Sequence, residues 1–268
     1  MALYSNTLQV IRAYLSSAVG DLLYGVCGTT LADTTHTNAP FLWQADDYYN
    51  NNFYEVYVYA GTNIGVTKRV TDWDLSNLLL TVHSAYDVAC DATSYIELHK
   101  IFTTEEYNKA INLAIEAIAE NYLIDKIDET TVLAADTYEY TLPTTMSFIH
   151  KVTTEDTADS GDYYDEDEVD PRDWSLISPR KLKLRYGYYS ITAGKDLRIE
   201  GQGRQALVSA NTEVIYLPPD WIVQKAITFL PQNKIQSNNL ADTYRNALLL
   251  SAREPRRWAN PRSQKVIE

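Results

Sequence analysis

The sequence predicts an α+β protein: a small core of three helices, an N-terminal antiparallel β module and a second β-rich insertion. Three observations predict it. Over residues 103–123, Tyr107, Ile111, Ala114, Ile115, Ile118 and Tyr122 recur at steps of three and four, the period of one helix face. Two further helical patterns, residues 219–230 and 239–251, lie far downstream. Before and between these helices, short runs rich in Tyr, Val, Ile and Thr alternate with turn clusters, which is the pattern of antiparallel strands.

The 103–123 helix is the spine of this reading. Thr103 with Glu106 three residues on forms a capping box, and Glu105 and Glu106 face the positive end of the helix dipole. Glu116 and Glu120 belong to its polar face. Ala110, Ala114 and Ala117 leave room for a close neighbouring helix. Ahead of the spine, residues 7–23 read as a helix with Leu8, Ile11, Tyr14, Leu15, Val19 and Leu22 near one face. Residues 33–38 read as a polar loop. Strands are expected at 53–60, 66–73, 78–83 and 94–100, with turns at 46–52, 61–65 and 74–77. Together they make a module over 46–98 that is expected to fold on its own.

After the spine, strands are expected at 137–143, 147–153, 174–177, 181–186, 188–192, 196–201 and 212–216. Residues 155–170 carry nine acids and no base, and read as a solvated loop rather than a calcium loop. Gly201-Gln202-Gly203-Arg204 lacks the Lys-Ser/Thr and the following helix of a phosphate loop, so it reads as a break in the sheet. Pro219 suits the first turn of the next helix, where a missing N–H costs nothing.

Net charge is −13, which argues against general nucleic-acid binding, because phosphate contacts need a basic face. It is compatible with a surface that DNA slides past. The 21 tyrosines against 5 phenylalanines suit half-buried sheets and interfaces, where one end of the ring is wet. No signal peptide and no membrane span is read in the sequence. Cys27 and Cys90 set no disulfide framework. His83, Cys90 and His99 match no zinc-ligand spacing, and no nucleophile elbow or defensible carboxylate pair occurs. The protein is therefore expected to be no enzyme and to use no cofactor or metal.

The chain end has the opposite charge. From Arg245 to Glu268 there are five Arg and one Lys against two Glu. Pro255 and Pro261 forbid a continuous helix there. Arg253, Arg256, Arg257, Trp258, Arg262 and Lys265 are the candidate partner-binding residues, because Arg and Trp are enriched at interface hot spots. Apolar periodicity stops near Ser251, so the end is expected to be an extended tail whose removal leaves the fold intact.

Several runs together resemble a tailed-bacteriophage head–tail connector, an adaptor of the neck. They are Ala45-Asp46-Asp47-Tyr48-Tyr49-Asn50, the run 57–65, Arg69-Val70-Thr71-Asp72-Trp73, the run 91–98 and Asn108-Lys109-Ala110-Ile111-Asn112-Leu113-Ala114-Ile115. Tyr138-Glu139-Tyr140-Thr141-Leu142-Pro143, the run 193–201 and Leu217-Pro218-Pro219-Asp220-Trp221 follow. Their order across residues 40–254 carries the resemblance. It implies a virion protein in a homo-oligomeric ring, a dodecamer, between the portal protein and the next neck or tail protein. Genomic DNA would pass through without specific binding, and the C-terminal segment would reach the portal. The domains expected are 1–100, the N-terminal β-rich module; 101–254, an adaptor domain with a helical core (101–133 and 218–254) and a β-rich insertion (134–217); and 255–268, the tail. The alternative is a tail-fibre or carbohydrate-binding virion protein.

Overall fold

The computed structural model describes residues 4–119, 121–187 and 191–268. Glu120, and the first three residues of the strand expected at 188–192, lie outside them. The elements in chain order are β1 (Asn6–Thr7), α1 (Leu8–Ala18), β2 (Leu23–Val26), β3 (His36–Asn38), α2 (Tyr48–Asn51), β4 (Glu55–Ala60), β5 (Thr67–Asp74), β6 (Leu79–Val82) and β7 (Tyr95–His99). Then come α3 (Thr104–Ile118), β8 (Ile124–Val132), β9 (Glu139–Thr141), β10 (Phe148–Thr154), β11 (Trp174–Ile177), β12 (Lys181–Leu184), β13 (Asp196–Gly203), β14 (Val214–Ile215), α4 (Pro219–Ile227), α5 (Gln232–Ser237), α6 (Ala241–Ser251) and β15 (Gln264–Lys265). Six helices and antiparallel sheets make a mixed fold among the described residues.

The chain divides into two compact units. One contains Tyr4–Ala117 and Leu207–Glu254, the other Ile118–Ala206 and Pro255–Glu268.

In the first unit a six-stranded sheet runs in the order β2-β7-β4-β5-β6-β3. Alternation along β4 to β7 turns Val56, Val58, Val70, Trp73, Leu80, Val82, Ile96 and Leu98 into one core. Tyr49 meets the Trp73 ring edge-on at 5.3 Å, and the Trp73 indole N–H donates to the Gln44 carbonyl. β2 and β3 lie outside residues 46–98 yet belong to this sheet, so the 46–98 module is incomplete without them. Residues 36–38 are thus a strand and not a loop. α1 is shorter than expected. Gly20, at a left-handed φ of 72°, follows its end, and Leu23–Val26 leaves as β2.

The spine helix α3 starts as the sequence dictates. The Thr103 N–H donates to Glu106 Oε2 at 2.8 Å, and the Glu106 N–H donates to Thr103 Oγ1 at 3.2 Å. The same turn is gripped from outside by Asp21. Its carboxylate accepts the N–H groups of Lys100, Ile101 and Phe102 and the Tyr107 hydroxyl, all within 2.9 Å. The helix ends at Ile118, earlier than 123, and residues 124–132 form β8, so the expected helical core over 101–133 is part helix and part strand. α4 packs on α1 and α6, with Pro219 in its first turn. β14, in the stretch expected to belong to the insertion, pairs with β1 in this first unit.

Arg12 on α1 is fully buried. Its guanidinium donates to both Glu97 oxygens, at 2.8 and 3.3 Å, and to Asn108 and Asn211 at 3.2 and 2.9 Å. It also lies 4.6 Å over the Tyr57 ring. Glu97 faces His99 Nε2 at 3.3 Å as well. One side chain therefore joins α1, β7, α3, β4 and the loop ahead of β14.

In the second unit, sheets ordered β15-β10-β13-β8 and β11-β12-β9 enclose Tyr140, Leu142, Ile149, Val152, Trp174, Leu182, Leu184, Leu197, Ile199 and Val266.

Burial raises the Glu97 pKa, but the His99 hydrogen bond and the Arg12 charge outweigh it and hold it below the ordinary 4.5. A depressed carboxylate stabilises the fold above its unfolded pKa, and that contribution is lost as pH falls through the folded value. Stability is therefore expected to drop on acidification below about 4.5. Urea melts of Glu97→Gln should show a shallower acid slope than the unsubstituted protein. An identical slope would remove Glu97 from the account.

Candidate functional site

The basic C-terminal residues do not share one environment. Arg253 is exposed just past α6 and belongs to the first unit. The other five belong to the second unit, on a segment that is docked along its length and is no free tail. The Arg257 N–H donates to the Asn121 carbonyl at 2.9 Å, and the Leu123 N–H donates to the Arg257 carbonyl at 3.2 Å. β15 then adds to the edge of β10, with Lys265 opposite Phe148 and Gln264 opposite Ile149. Val266 donates its N–H to the Ser147 carbonyl and buries its side chain, 3% exposed, in the core of the second unit. At the end of the chain Arg180 and Glu268 form an ion pair.

This docking corrects the expectation that the fold stops near Ser251. Loops and ends with no periodicity still fold when a sheet edge offers them a ladder and a core offers one apolar slot. The lone apolar pair Val266-Ile267 after a polar run was the available signal. Asp125 and Gln202 were missed altogether. The Arg257 guanidinium donates to Asp125 at 2.7 Å, the Gln202 side-chain amide donates to Asp125 at 3.2 Å, and the Asn260 N–H donates to Gln202 Oε1 at 2.8 Å. Partial burial works against the Asp125 carboxylate, but the hydrogen bonds from Arg257 and Gln202 and the Arg257 charge keep its pKa low.

Extended backbone sends alternate side chains to opposite sides. Arg257 turns inward to Asp125, while Arg256 and Trp258 on either side of it are exposed. Trp258 is 72% exposed, and the Arg256 guanidinium sits 5.7 Å from its ring centroid. Arg262 and Lys265 are exposed beyond the Asn260 turn. Among the described residues no ion pair joins Arg256, Arg262 or Lys265 to a carboxylate. The surface offers cations that can grip carboxylates or phosphates and one bare aromatic ring.

Other candidates resolve into structural roles. In the acidic stretch, Glu155 accepts the N–H groups of Asp159, Gly161 and Asp196, so it ties a loop together. A Cβ on Gly201 would lie 2.1 Å from the Phe148 carbonyl oxygen, and one on Gly203 would lie 1.9 Å from that of Thr145. The Gly-x-Gly run is set by this close approach of chains. His83 accepts the Arg69 N–H, and His99 is buried beside Glu97. No group of three His, Cys, Asp or Glu side chains among the described residues is placed to hold a metal ion, and no described helix is long and apolar enough to cross a membrane.

Comparison with protein families, curated proteins and solved structures finds no match.

Deleting residues 255–268 should destabilise the second unit by about 3 kcal/mol, from the buried valine and the lost ladder. Denaturant melts of the shortened and full chains check this. Coincident curves would mean that the segment adds nothing to the fold.

Proposed function

We propose that this protein is a structural head-to-tail adaptor of a tailed-phage virion. It forms a ring, taken as a dodecamer, between the portal and the next neck or tail component, and DNA passes through the channel. The observation that carries the reading is the C-terminal segment. Its backbone is clamped at residues 257 and 264–267, while Arg256 and Trp258 project together with Arg262 and Lys265 on a chain of net charge −13. A pre-ordered segment loses little conformational entropy on docking, and Arg and Trp are typical anchors of interface hot spots. The acidic balance suits a channel that DNA crosses without sticking. In this reading α3, α4 and α6 form the helical core of the adaptor. The order of sequence runs that resembles neck adaptors supports the choice of the portal as partner.

A tail-fibre or carbohydrate-binding virion protein is the second reading, favoured by the exposed aromatic rings of Trp43 and Phe53, which are 71% and 68% exposed in the first unit.

The test is binding to purified portal rings. Arg256→Ala with Trp258→Ala should melt like the unsubstituted protein and lose roughly tenfold or more in portal affinity. Full affinity in that variant would sink the docking role of this segment. Glycan binding that is lost in Trp43→Ala or Phe53→Ala would favour the second reading.

A further inference from the structure

The four-stranded sheet of the second unit ends at β8, which pairs with β13 and with no other strand among the described residues. An open edge presents a row of backbone N–H and C=O groups without a ladder, and such a row takes up a further strand unless something stops it. Two features limit the open run. Just before β8, Arg257 exchanges backbone hydrogen bonds with Asn121 and Leu123. Towards the other end a bulge opposite Arg198, between Asp128 and Thr131, bends the strand. Residues 124–128 lie in regular register between these two stops.

The side chains along this run are close to self-complementary. They read Asp125, Lys126, Ile127, Asp128 and Glu129. An antiparallel second copy centred on Ile127 sets Ile127 opposite Ile127, and Lys126 opposite Asp128 twice. Ile127 is 57% exposed, so it stands in water until an apolar neighbour covers it. Lys126 is half-buried, and no ion pair joins it to a carboxylate among the described residues. Burial alone pushes its ammonium below the ordinary value, and a facing carboxylate would relieve that cost. Asp128 uses one oxygen to accept the Thr130 N–H and hydroxyl, at 3.2 and 3.0 Å, which leaves the other for a cation. The remaining cross-pair, Asp125 with Glu129, is like-charged. Each of these carboxylates already has its own arginine, Arg257 at 2.7 Å and Arg198 at 3.4 Å. Other registers are worse. Moving the centre towards Lys126 sets Asp125 against Asp128 or Lys126 against Lys126, and moving it towards Asp128 sets Ile127 against a carboxylate.

We propose that two copies of the free protein pair through β8, antiparallel about Ile127, so that their four-stranded sheets become one continuous sheet. The contact is isologous: each Lys126 grips the other copy's Asp128, and the two Ile127 side chains meet on the two-fold axis. Backbone hydrogen bonds along the open edge supply the attraction, and the charges fix the register. The pairing is independent of the portal reading, because it uses none of Arg256, Trp258, Arg262 and Lys265.

The experiment is sedimentation equilibrium of the full chain over a range of concentrations at low salt. The unsubstituted protein should reach the mass of two 30.5 kDa chains. Lys126→Asp should melt like the unsubstituted protein and raise the dimer dissociation constant roughly tenfold or more, because both charge pairs turn repulsive. Asp128→Lys should do the same. The double variant exchanges the two charges and should restore the dimer, which a merely structural role of either residue would not do. Ile127→Cys keeps the charges and tests the register: mild oxidation should link two chains through that position. A monomer at every concentration would overturn the proposal, as would an assembly of any size that Lys126→Asp leaves unchanged. A folded double variant that stays monomeric would also overturn it, and so would Ile127→Cys chains that do not link.

Discussion

The first unit depends on the burial of one positive charge. A guanidinium removed from water costs several kcal/mol unless its donors are met, and the site meets them from scattered parts of the chain. Glu97 takes two bonds, Asn108 and Asn211 take one each, and Tyr57 offers its ring face. Tyr57 also donates its hydroxyl to Asn211 at 3.0 Å, and the Asn211 amide donates to the Tyr59 carbonyl at 3.1 Å. Misplacing any of these groups would strand a buried charge or a buried amide. That constraint explains why residues 207–254 belong with residues 4–117, although the intervening residues build a different unit.

Much of the fold was legible because its causes are local. The capping box at Thr103 and Glu106, the proline in the first turn of α4 and the alternation of β4 to β7 act within a few residues of themselves. What was not legible depends on distant partners. Arg12 follows Ile11 in an amphipathic helix, and nothing near it in the sequence announces Glu97. β8 carries Asp125, Lys126, Asp128 and Glu129, which suits an edge strand but hides its strand character. β3 is three polar-flanked residues that become a strand only because β6 offers a ladder.

The candidate site shows the same division. Composition and charge single out the basic C-terminal segment, but they treat its arginines as equals. Backbone alternation separates them: Arg257 pairs with Asp125 at a half-buried position, while Arg256 lies against the exposed Trp258 ring. The segment's order comes from Val266 and two ladder residues, features too sparse to register as a pattern. A fixed backbone with outward side chains lets any partner meet a formed surface, which lowers the ordering cost of docking.

The most direct measurement of the central claim is the mass of the purified assembly in solution, alone and with portal rings, by native mass spectrometry or sedimentation. The account predicts a closed ring of about twelve 30.5 kDa chains, formed alone or on the portal. A monomer or trimer that stays unchanged when portal is added would contradict it.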